Sequence, residues 1–388
     1  MLTPAQAPAI EDLHRLYKKR VPKMFYDYCE TGSYTTSTFV ENSTAFRNYH
    51  LRQRVAVNID NRSTESTMIG EKVAMPVALA PVGSLGMNIA DGEIHAARAA
   101  QKFGVPFTLS TMSICSIEQV AAHVEKPFWF QLYVMRDRDF TRGLIARAKA
   151  AKCSALVLTL DLQMVAQRHK DIKNGMSSPP RLTLPNIINM GLHPRWALGM
   201  LGTRNRFFGN IQGHAKDVEN LSDLVAWNHK QFDQTLDWSS IDFIRKLWPG
   251  KLILKGINDV DDARIAASKG ADAIIVSNHG GRQLDGAPAT INMLGPIVDA
   301  VGKKTEIHLD SGIRTGIDVM RALALGAKGT FIGRAYVYGL GAAGEAGVTR
   351  ALEIIQSELS LTMGLCGERL VKNVGRHNLL KHGPAKSR

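Results

Sequence analysis

The stretch Ala273-Ile-Ile-Val-Ser-Asn-His-Gly-Gly-Arg-Gln-Leu-Asp285 opens as an apolar, β-branched run of strand length and then breaks at a Gly-Gly turn carrying His279 and Arg282. Burying the run and exposing the turn puts both side chains at the C-terminal lip of a strand. A histidine titrates near neutral pH and can move a proton, and an arginine can hold a carboxylate in a bidentate fork. The two glycines let a ligand approach the backbone closely. A histidine after a buried strand is often structural, so the reading depends on whether the pattern recurs along the chain.

It recurs from Met75 onward as one unit: a short apolar strand, a polar or glycine break, then a helical pattern. Strands are expected at 77–80, 107–110, 129–133, 155–161, 252–255, 273–277, 306–310 and 329–332. Helical periods follow most of them, as in Glu93-Ile-His-Ala-Ala-Arg-Ala-Ala-Gln-Lys-Phe103. Eight strands alternating with helices predict a closed parallel (β/α)8 TIM barrel, not an open sheet. The organisation expected for 1–388 is a single domain, with an N-terminal helical cap over 1–70, the barrel over 71–364 and a C-terminal tail over 365–388. Within the cap, 10–20 reads as a short amphipathic helix.

The spacing breaks once, between Asp161 and Leu252, which predicts a long insertion after strand 4, about 170–240. From Ile172 to Lys216 it has no Asp or Glu but six basic residues: Lys173, Arg181, Arg195, Arg204, Arg206 and Lys216. Trp196, Met200, Leu201, Phe207 and Phe208 are interleaved. Basic residues mixed with aromatic and aliphatic ones suit an anionic bilayer surface. The segment is therefore expected to make peripheral contact with the cytoplasmic face of an inner membrane, the alternative being a solvated lid.

Composition narrows the classes. The 388 residues are 45% hydrophobic and 21% charged, as in an ordinary globular protein. The four cysteines, Cys29, Cys115, Cys153 and Cys366, lie far apart with no C-x-x-C, so neither a disulfide frame nor a metal site is expected. Residues 1–12 show no basic-then-apolar export pattern, and the uncharged run 73–90 is broken by Pro76 and Pro81, so a cytoplasmic location is expected without a membrane span. The net charge of +13 comes without an aromatic-basic recognition motif, so no nucleic-acid partner is expected.

Active sites of such barrels sit at the C-terminal strand ends. Those ends here are Pro81-Val82-Gly83, Ser110, Gln131 with Tyr133, Thr159 with Asp161, Lys255, Ser277 leading to His279 and Arg282, Asp310-Ser311-Gly312-Ile313-Arg314, and Gly333-Arg334. Nearly every strand ends in a residue with usable chemistry. The last two ends have the glycines, helix N-termini and arginines of a phosphate site. By contrast, Gly339-Leu-Gly-Ala-Ala-Gly344 matches the dinucleotide fingerprint only formally. It follows the last strand with no βαβ unit behind it, so helix packing explains it better.

These residues resemble the FMN-dependent 2-hydroxy-acid oxidising enzymes over about 17–364, with Ser277-Asn-His-Gly-Gly-Arg-Gln-Leu-Asp285 the most specific motif. The nearest branch is that of the bacterial respiratory L-lactate dehydrogenases, through Met75-Pro-Val-Ala-Leu-Ala-Pro-Val-Gly83, Phe107-Thr-Leu-Ser-Thr111 and Trp129-Phe-Gln-Leu-Tyr133. The resemblance implies FMN as cofactor and oxidation of an L-2-hydroxy acid, L-lactate foremost, with electrons passing to a quinone or cytochrome, in a homotetramer. It implies His279 as catalytic base oriented by Asp161, and Arg282 and Arg168 on the substrate carboxylate with Tyr28 assisting. Tyr133 is implied on the substrate hydroxyl and Lys255 beside the flavin N1 edge. Pro81, Val82, Gly83, Ser110, Gln131, Thr159 and Ser277 are implied around the ring, and Asp310, Ser311, Gly312, Arg314, Gly333 and Arg334 at the ribityl phosphate.

Two positions depart from the family pattern. Gln163 stands where a Pro is usual, and Ala166 where a Gly precedes the Arg, which bears on the path to Arg168. Met112 and Val165 give an apolar, adaptable side-chain pocket that favours lactate. The competing readings are an oxygen-using hydroxy-acid oxidase, against which Gly83 weighs, a Schiff-base aldolase using Lys255, and a basic nucleic-acid-binding barrel.

Overall fold

A computed structural model describes residues 3–176, 182–214 and 231–380. The N-terminal segment supplies the helices Ile10–Arg20, Lys23–Cys29 and Ser37–Thr44. The first has the bounds expected from its pattern, because Ile10, Leu13 and Tyr17 at i, i+3 and i+7 make one buried stripe. Residues 51–57 form no strand, with Leu51 bridging to Leu379. A short antiparallel hairpin follows instead, β1 (Ser66–Met68) and β2 (Glu71–Val73).

The next eight strands are β3 (Val77–Leu79), β4 (Thr108–Ser110), β5 (Trp129–Leu132), β6 (Ala155–Thr159), β7 (Lys251–Ile257), β8 (Ala273–Val276), β9 (Glu306–Leu309) and β10 (Gly329–Ile332). All pair in parallel in the order β3-β10-β9-β8-β7-β6-β5-β4. A parallel bridge between Leu79 and Phe107 joins the two outer strands and closes the barrel.

Strand periodicity separates two cores. Residues such as Leu79, Leu156, Leu254, Ile274 and Leu309 face outward and pack under the surrounding helices. Ala78, Trp129, Val157, Ile253, Ile275 and Phe331 form a second cluster inside, together with Met68 and Ile69 from the hairpin. The hairpin therefore plugs the N-terminal mouth: a Cβ on Gly329, the first residue of β10, would stand 2.6 Å from the Met68 methyl carbon. Continuing the same alternation leaves Ser110, Gln131, Thr159, Lys255, Ser277 and Asp310 inward-facing at the opposite mouth.

The glycine run near the C-terminus has the packing explanation expected of it. Within the helical stretch Arg334–Leu365, a Cβ on Gly341 would meet the Tyr17 ring at 2.2 Å, and one on Gly339 would meet the Gly347 carbonyl at 2.2 Å.

Described residues between β6 and β7 pack against the C-terminal mouth. The described helices of this segment include His169–Lys173, Leu184–Gly191, Pro194–Gly202 and Ser239–Leu247. Asn210 is fully buried and donates to the carbonyls of Ser110 and Thr111 and to Ser113 Oγ. Of the aromatic residues expected at its surface, Trp196 is instead an anchor: its Nε1 donates to Met87 O at 2.8 Å and its ring stacks on Phe25 at 5.3 Å. Phe208 also packs against the core. The exposed apolar face is built by Leu182, Leu184, Ile187, Ile188, Leu192, Leu198 and Leu201, with Phe207 partly exposed. Arg181 and Lys216 lie outside the described residues.

Candidate active site

Ser277, one residue past β8, is the hub of the C-terminal mouth. Its Oγ donates to Asp310 Oδ2 at 2.7 Å and accepts from Lys255 Nζ at 3.0 Å and from the His279 amide at 3.1 Å. Lys255 Nζ also stands 3.4 Å from Asp310 Oδ2, with both side chains buried. Asp310 is thus engaged with Lys255 and Ser277, and as an anion it suits hydroxyl groups of a ligand, not its phosphate.

The Gly-Gly turn sets the direction of His279. Its φ of 59° lies in the left-handed region, followed by Gly280 and Gly281 at 67° and 72°. For a residue with a Cβ this costs about 1–2 kcal/mol, which the surrounding contacts must hold in place. His279 Nδ1 is hydrogen-bonded to Asp161 Oδ1 at 2.8 Å, so Nε2 is the nitrogen left for a ligand. The other carboxylate oxygen of Asp161 is buried without a partner. Burial raises the Asp161 carboxyl, but the charges of His279 and Lys255 outweigh it and hold the group below its ordinary range. Burial pushes His279 below the ordinary histidine value; Asp161 opposes that shift and Lys255 adds to it.

Arg282 and Arg168 share one aromatic ring: their guanidinium carbons lie 4.8 and 5.5 Å from the centre of Tyr28. Arg168 is therefore brought to Arg282 despite Gln163 and Ala166 in the intervening loop. Arg168 gives its Nε to Asp171 Oδ2 at 2.6 Å, and Arg282 gives Nη1 to the Tyr28 carbonyl at 2.6 Å. Burial, then the charge of Arg168, lowers Arg282 to about 10. Two cations crowded against one ring and removed from water call for an anion between them. Tyr133, buried nearby, has its phenol pushed up by burial and then by Asp161, so it stays protonated.

At the end where a phosphate is expected, Arg314 lies 5.6 Å from the centre of the Tyr338 ring, and Arg334 donates to the carbonyls of Cys29, Gly280 and Thr31. Gly280 N donates to Ser311 Oγ at 3.0 Å. Gly312 has a φ of 94°, and a Cβ there would stand 1.9 Å from the Asn42 carbonyl oxygen.

Two residues not expected from sequence belong to the site. Asp171 is buried, with one oxygen on Arg168 and the other without a partner. Gln283 donates to the carbonyls of Asp161 and Met164 at 2.8 Å each, tying the loop that leads to Arg168. Gln283 stood inside the motif, so it was available to find; nothing at Asp171 signals its burial.

The wall formed by Ser110, Gln131 and Thr159 fits a heteroaromatic ring. Gln131 Nε2 and Thr159 Oγ1 are both buried with no hydrogen-bond partner, so a donor and a hydroxyl are left to bind a ligand edge. Pro81, Val82 and Gly83 are partly buried beside them, and Met112 backs Gly83, whose Cβ would lie 3.2 Å from the Met112 carbonyl. Val165 is 40% exposed at the outer rim. Among the described residues no cluster of side chains could hold a metal ion.

Known proteins resemble this chain over nearly its whole length. The profile of the family described as FMN-dependent dehydrogenase matches residues 17–381. An L-lactate dehydrogenase of Stenotrophomonas maltophilia is 45% identical over 96% of this chain and 98% of its own length. One from Vibrio parahaemolyticus is 43% identical over 96% of this chain and 98% of its own. The crystal structure of the monotopic membrane protein (S)-mandelate dehydrogenase superposes with a TM-score of 0.92 at 33% identity, covering 97% of this chain and all of that one. The chain belongs to the FMN-dependent dehydrogenase family, an oxidoreductase with FMN as its cofactor.

Proposed function

We propose that the protein oxidises a small L-2-hydroxy acid, L-lactate foremost, to the 2-oxo acid and passes the electrons to a quinone or cytochrome. The observation that carries this reading is the meeting of a carboxylate-oriented histidine with two arginines on one tyrosine ring at the mouth of the barrel. Bound FMN would supply the acceptor for the two electrons that no side chain can take.

The remaining chemistry falls to the chain. Arg282 and Arg168 grip the substrate carboxylate, with Tyr28 fixing both guanidinium planes. His279, held in one tautomer by Asp161, takes a proton through Nε2, and Asp161 stabilises the imidazolium that forms. Tyr133, kept protonated, donates to the substrate hydroxyl. Lys255 places a buried positive charge where it would offset negative charge that the flavin edge would carry. Ser110, Gln131, Thr159 and Ser277, with Pro81 to Gly83, line the ring. Ser311, Gly312, Arg314, Gly333 and Arg334 would hold the ribityl phosphate, and Asp310 would suit the ribityl hydroxyls.

The relatives named L-lactate dehydrogenase support the substrate. The exposed apolar residues of 182–201, together with Lys173, Arg195, Arg204 and Arg206, support peripheral contact with the cytoplasmic face of the inner membrane, where a lipid-soluble quinone is at hand. Among the described residues no helix is long and apolar enough to cross a membrane. The proposed assembly is a homotetramer. The test is anaerobic mixing with L-lactate: bleaching of the flavin spectrum, then reoxidation faster by a soluble quinone than by oxygen, is expected. A yellow protein that no 2-hydroxy acid bleaches would overturn the reading.

A further inference from the structure

A cavity of about 390 Å³ opens between the N-terminal helices and the chain after β6, outside the barrel mouth. Lys18, Lys23, Lys170 and His193 line it, against a single carboxylate, Asp27. Asp27 is already engaged, accepting from both Lys23 Nζ and Asn174 Nδ2. Lys18 lies 5.9 Å from the centre of the Tyr26 ring and has no carboxylate partner among the described residues. The charge excess extends beyond the lining, since Arg20 is lowered by burial and then by the repulsion of Arg195. The walls are fixed to each other: the Lys23 amide donates to Asn189 Oδ1 at 2.7 Å, and Lys170 Nζ donates to the Glu30 carbonyl at 2.8 Å.

The neighbourhood of the cavity identifies the ligand. Asn189, on its wall, belongs to the helix Leu184–Gly191, whose other faces expose Leu184, Ile187 and Ile188. One short helix thus carries a basic, polar cavity on one side and an apolar face on the other. A ligand that satisfies both has an anionic head and an apolar tail.

We propose that this cavity binds a phosphate-bearing anion, taken as the headgroup of an acidic phospholipid when the apolar face lies on a bilayer. The inference rests on the peripheral-membrane reading above and adds to it a specific site. It makes the contact selective for anionic lipid, because three lysines around a cavity hold a phosphate that a zwitterionic surface offers less favourably.

The experiment uses the FMN-saturated full chain and three variants: Lys18→Gln/Lys23→Gln in the cavity, Lys303→Gln/Lys304→Gln as an equal charge change elsewhere, and Leu184→Ser/Ile188→Ser on the apolar face. None of these positions belongs to the catalytic machinery. Binding is measured to phosphatidylcholine vesicles with and without phosphatidylglycerol, and thermal stabilisation by glycerol 1-phosphate and inorganic phosphate at constant ionic strength. The cavity variant is expected to lose about tenfold or more of its affinity for the phosphatidylglycerol vesicles, while the control pair loses far less. The apolar-face variant should lose vesicle binding yet keep the stabilisation by glycerol 1-phosphate that the cavity variant lacks. Equal loss in the cavity and control variants, with no phosphate stabilisation in the parent, would overturn the proposal. If the parent binds neither vesicle, the membrane reading fails by itself. Phosphate stabilisation abolished only by the cavity change then supports a site for a free phosphate ester, and its absence overturns the site as well.

Discussion

The Nδ1 of His279 lies 2.8 Å from Oδ1 of Asp161, and the carboxylate is pressed from behind by Gly256, where a Cβ would stand 2.6 Å from Asp161 Cγ. The histidine comes from the turn after β8 and the aspartate from the end of β6, with β7 between them in the sheet. Only a glycine with φ of 99° at the intervening strand gives the pair room to meet.

Replacing His279 by Gln removes the proton acceptor and leaves the ring wall intact. The variant is expected to purify yellow and to show flavin reduction by L-lactate slowed by about 10²-fold to 10⁴-fold. Stopped-flow bleaching near the parent rate would remove His279 from the role of base.

The pH dependence follows from the sign of the shift. The base acts when neutral, and burial has lowered His279 below its ordinary value, so kcat/KM should rise with pH to a plateau, with the acid limb lying at lower pH than an unshifted histidine would give. Asp161 opposes the lowering, so Asp161→Ala should move the acid limb to still lower pH while cutting the plateau, because the imidazole loses its orienting partner. A limb that moves upward would show that another group controls it.

How much of this was legible in sequence depended on length of signal. All eight barrel strands were, because each is a buried apolar run ended by a turn, and period-2 alternation then places Gln131, Thr159, Lys255 and Ser277 inward without further information. The hairpin β1–β2 was not, since three residues per strand carry too little pattern. The role of Trp196 was misjudged because an aromatic residue in a basic, apolar segment reads alike whether it anchors the segment or faces outward. What decides it is Met87, far away in sequence, offering a carbonyl. Burial of Asp171 depends likewise on the cap folding over it.

Glu93 offers a stability test away from the chemistry. Fully buried, it accepts from the Ile114 amide at 2.9 Å and the Gly86 amide at 3.3 Å, fixing the loops after β4 and β3. Burial raises its carboxyl, which the hydrogen bonds only partly offset. A group raised on folding contributes stability at low pH that is lost as pH climbs through the folded value. Glu93→Gln keeps the acceptor without the charge, so it should melt no lower than the parent at pH 8 and gain on it as pH rises. Glu93→Ala strands two buried amides and should cost about 2 kcal/mol or more. Calorimetry across pH checks both; a glutamine variant losing as much as the alanine one would refute the argument.

The arginine pair gives the most specific test of substrate grip. Arg168 gives its Nε to Asp171, which leaves both terminal nitrogens for a carboxylate, whereas Arg282 already gives one terminal nitrogen to the Tyr28 carbonyl. Lysine can supply the charge of either but not a planar two-point contact. Arg168→Lys and Arg282→Lys should each lower kcat/KM for L-lactate by about tenfold to hundredfold, since charged hydrogen bonds are worth about 1.5–3 kcal/mol. Asp171 separates charge from geometry. Burial pushes its carboxyl up, Arg168 pulls it down, and the first wins. Asp171→Asn keeps the acceptor oxygen but weakens the bond that turns the Arg168 fork, so KM should rise by about fivefold with kcat nearly unchanged. Flavin content and the reduction rate at saturating L-lactate should then match the parent. If both arginine variants kept the parent kcat/KM, the carboxylate would have to bind elsewhere in the mouth; if Asp171→Asn lowered kcat alone, Asp171 would serve the chemical step instead of the grip.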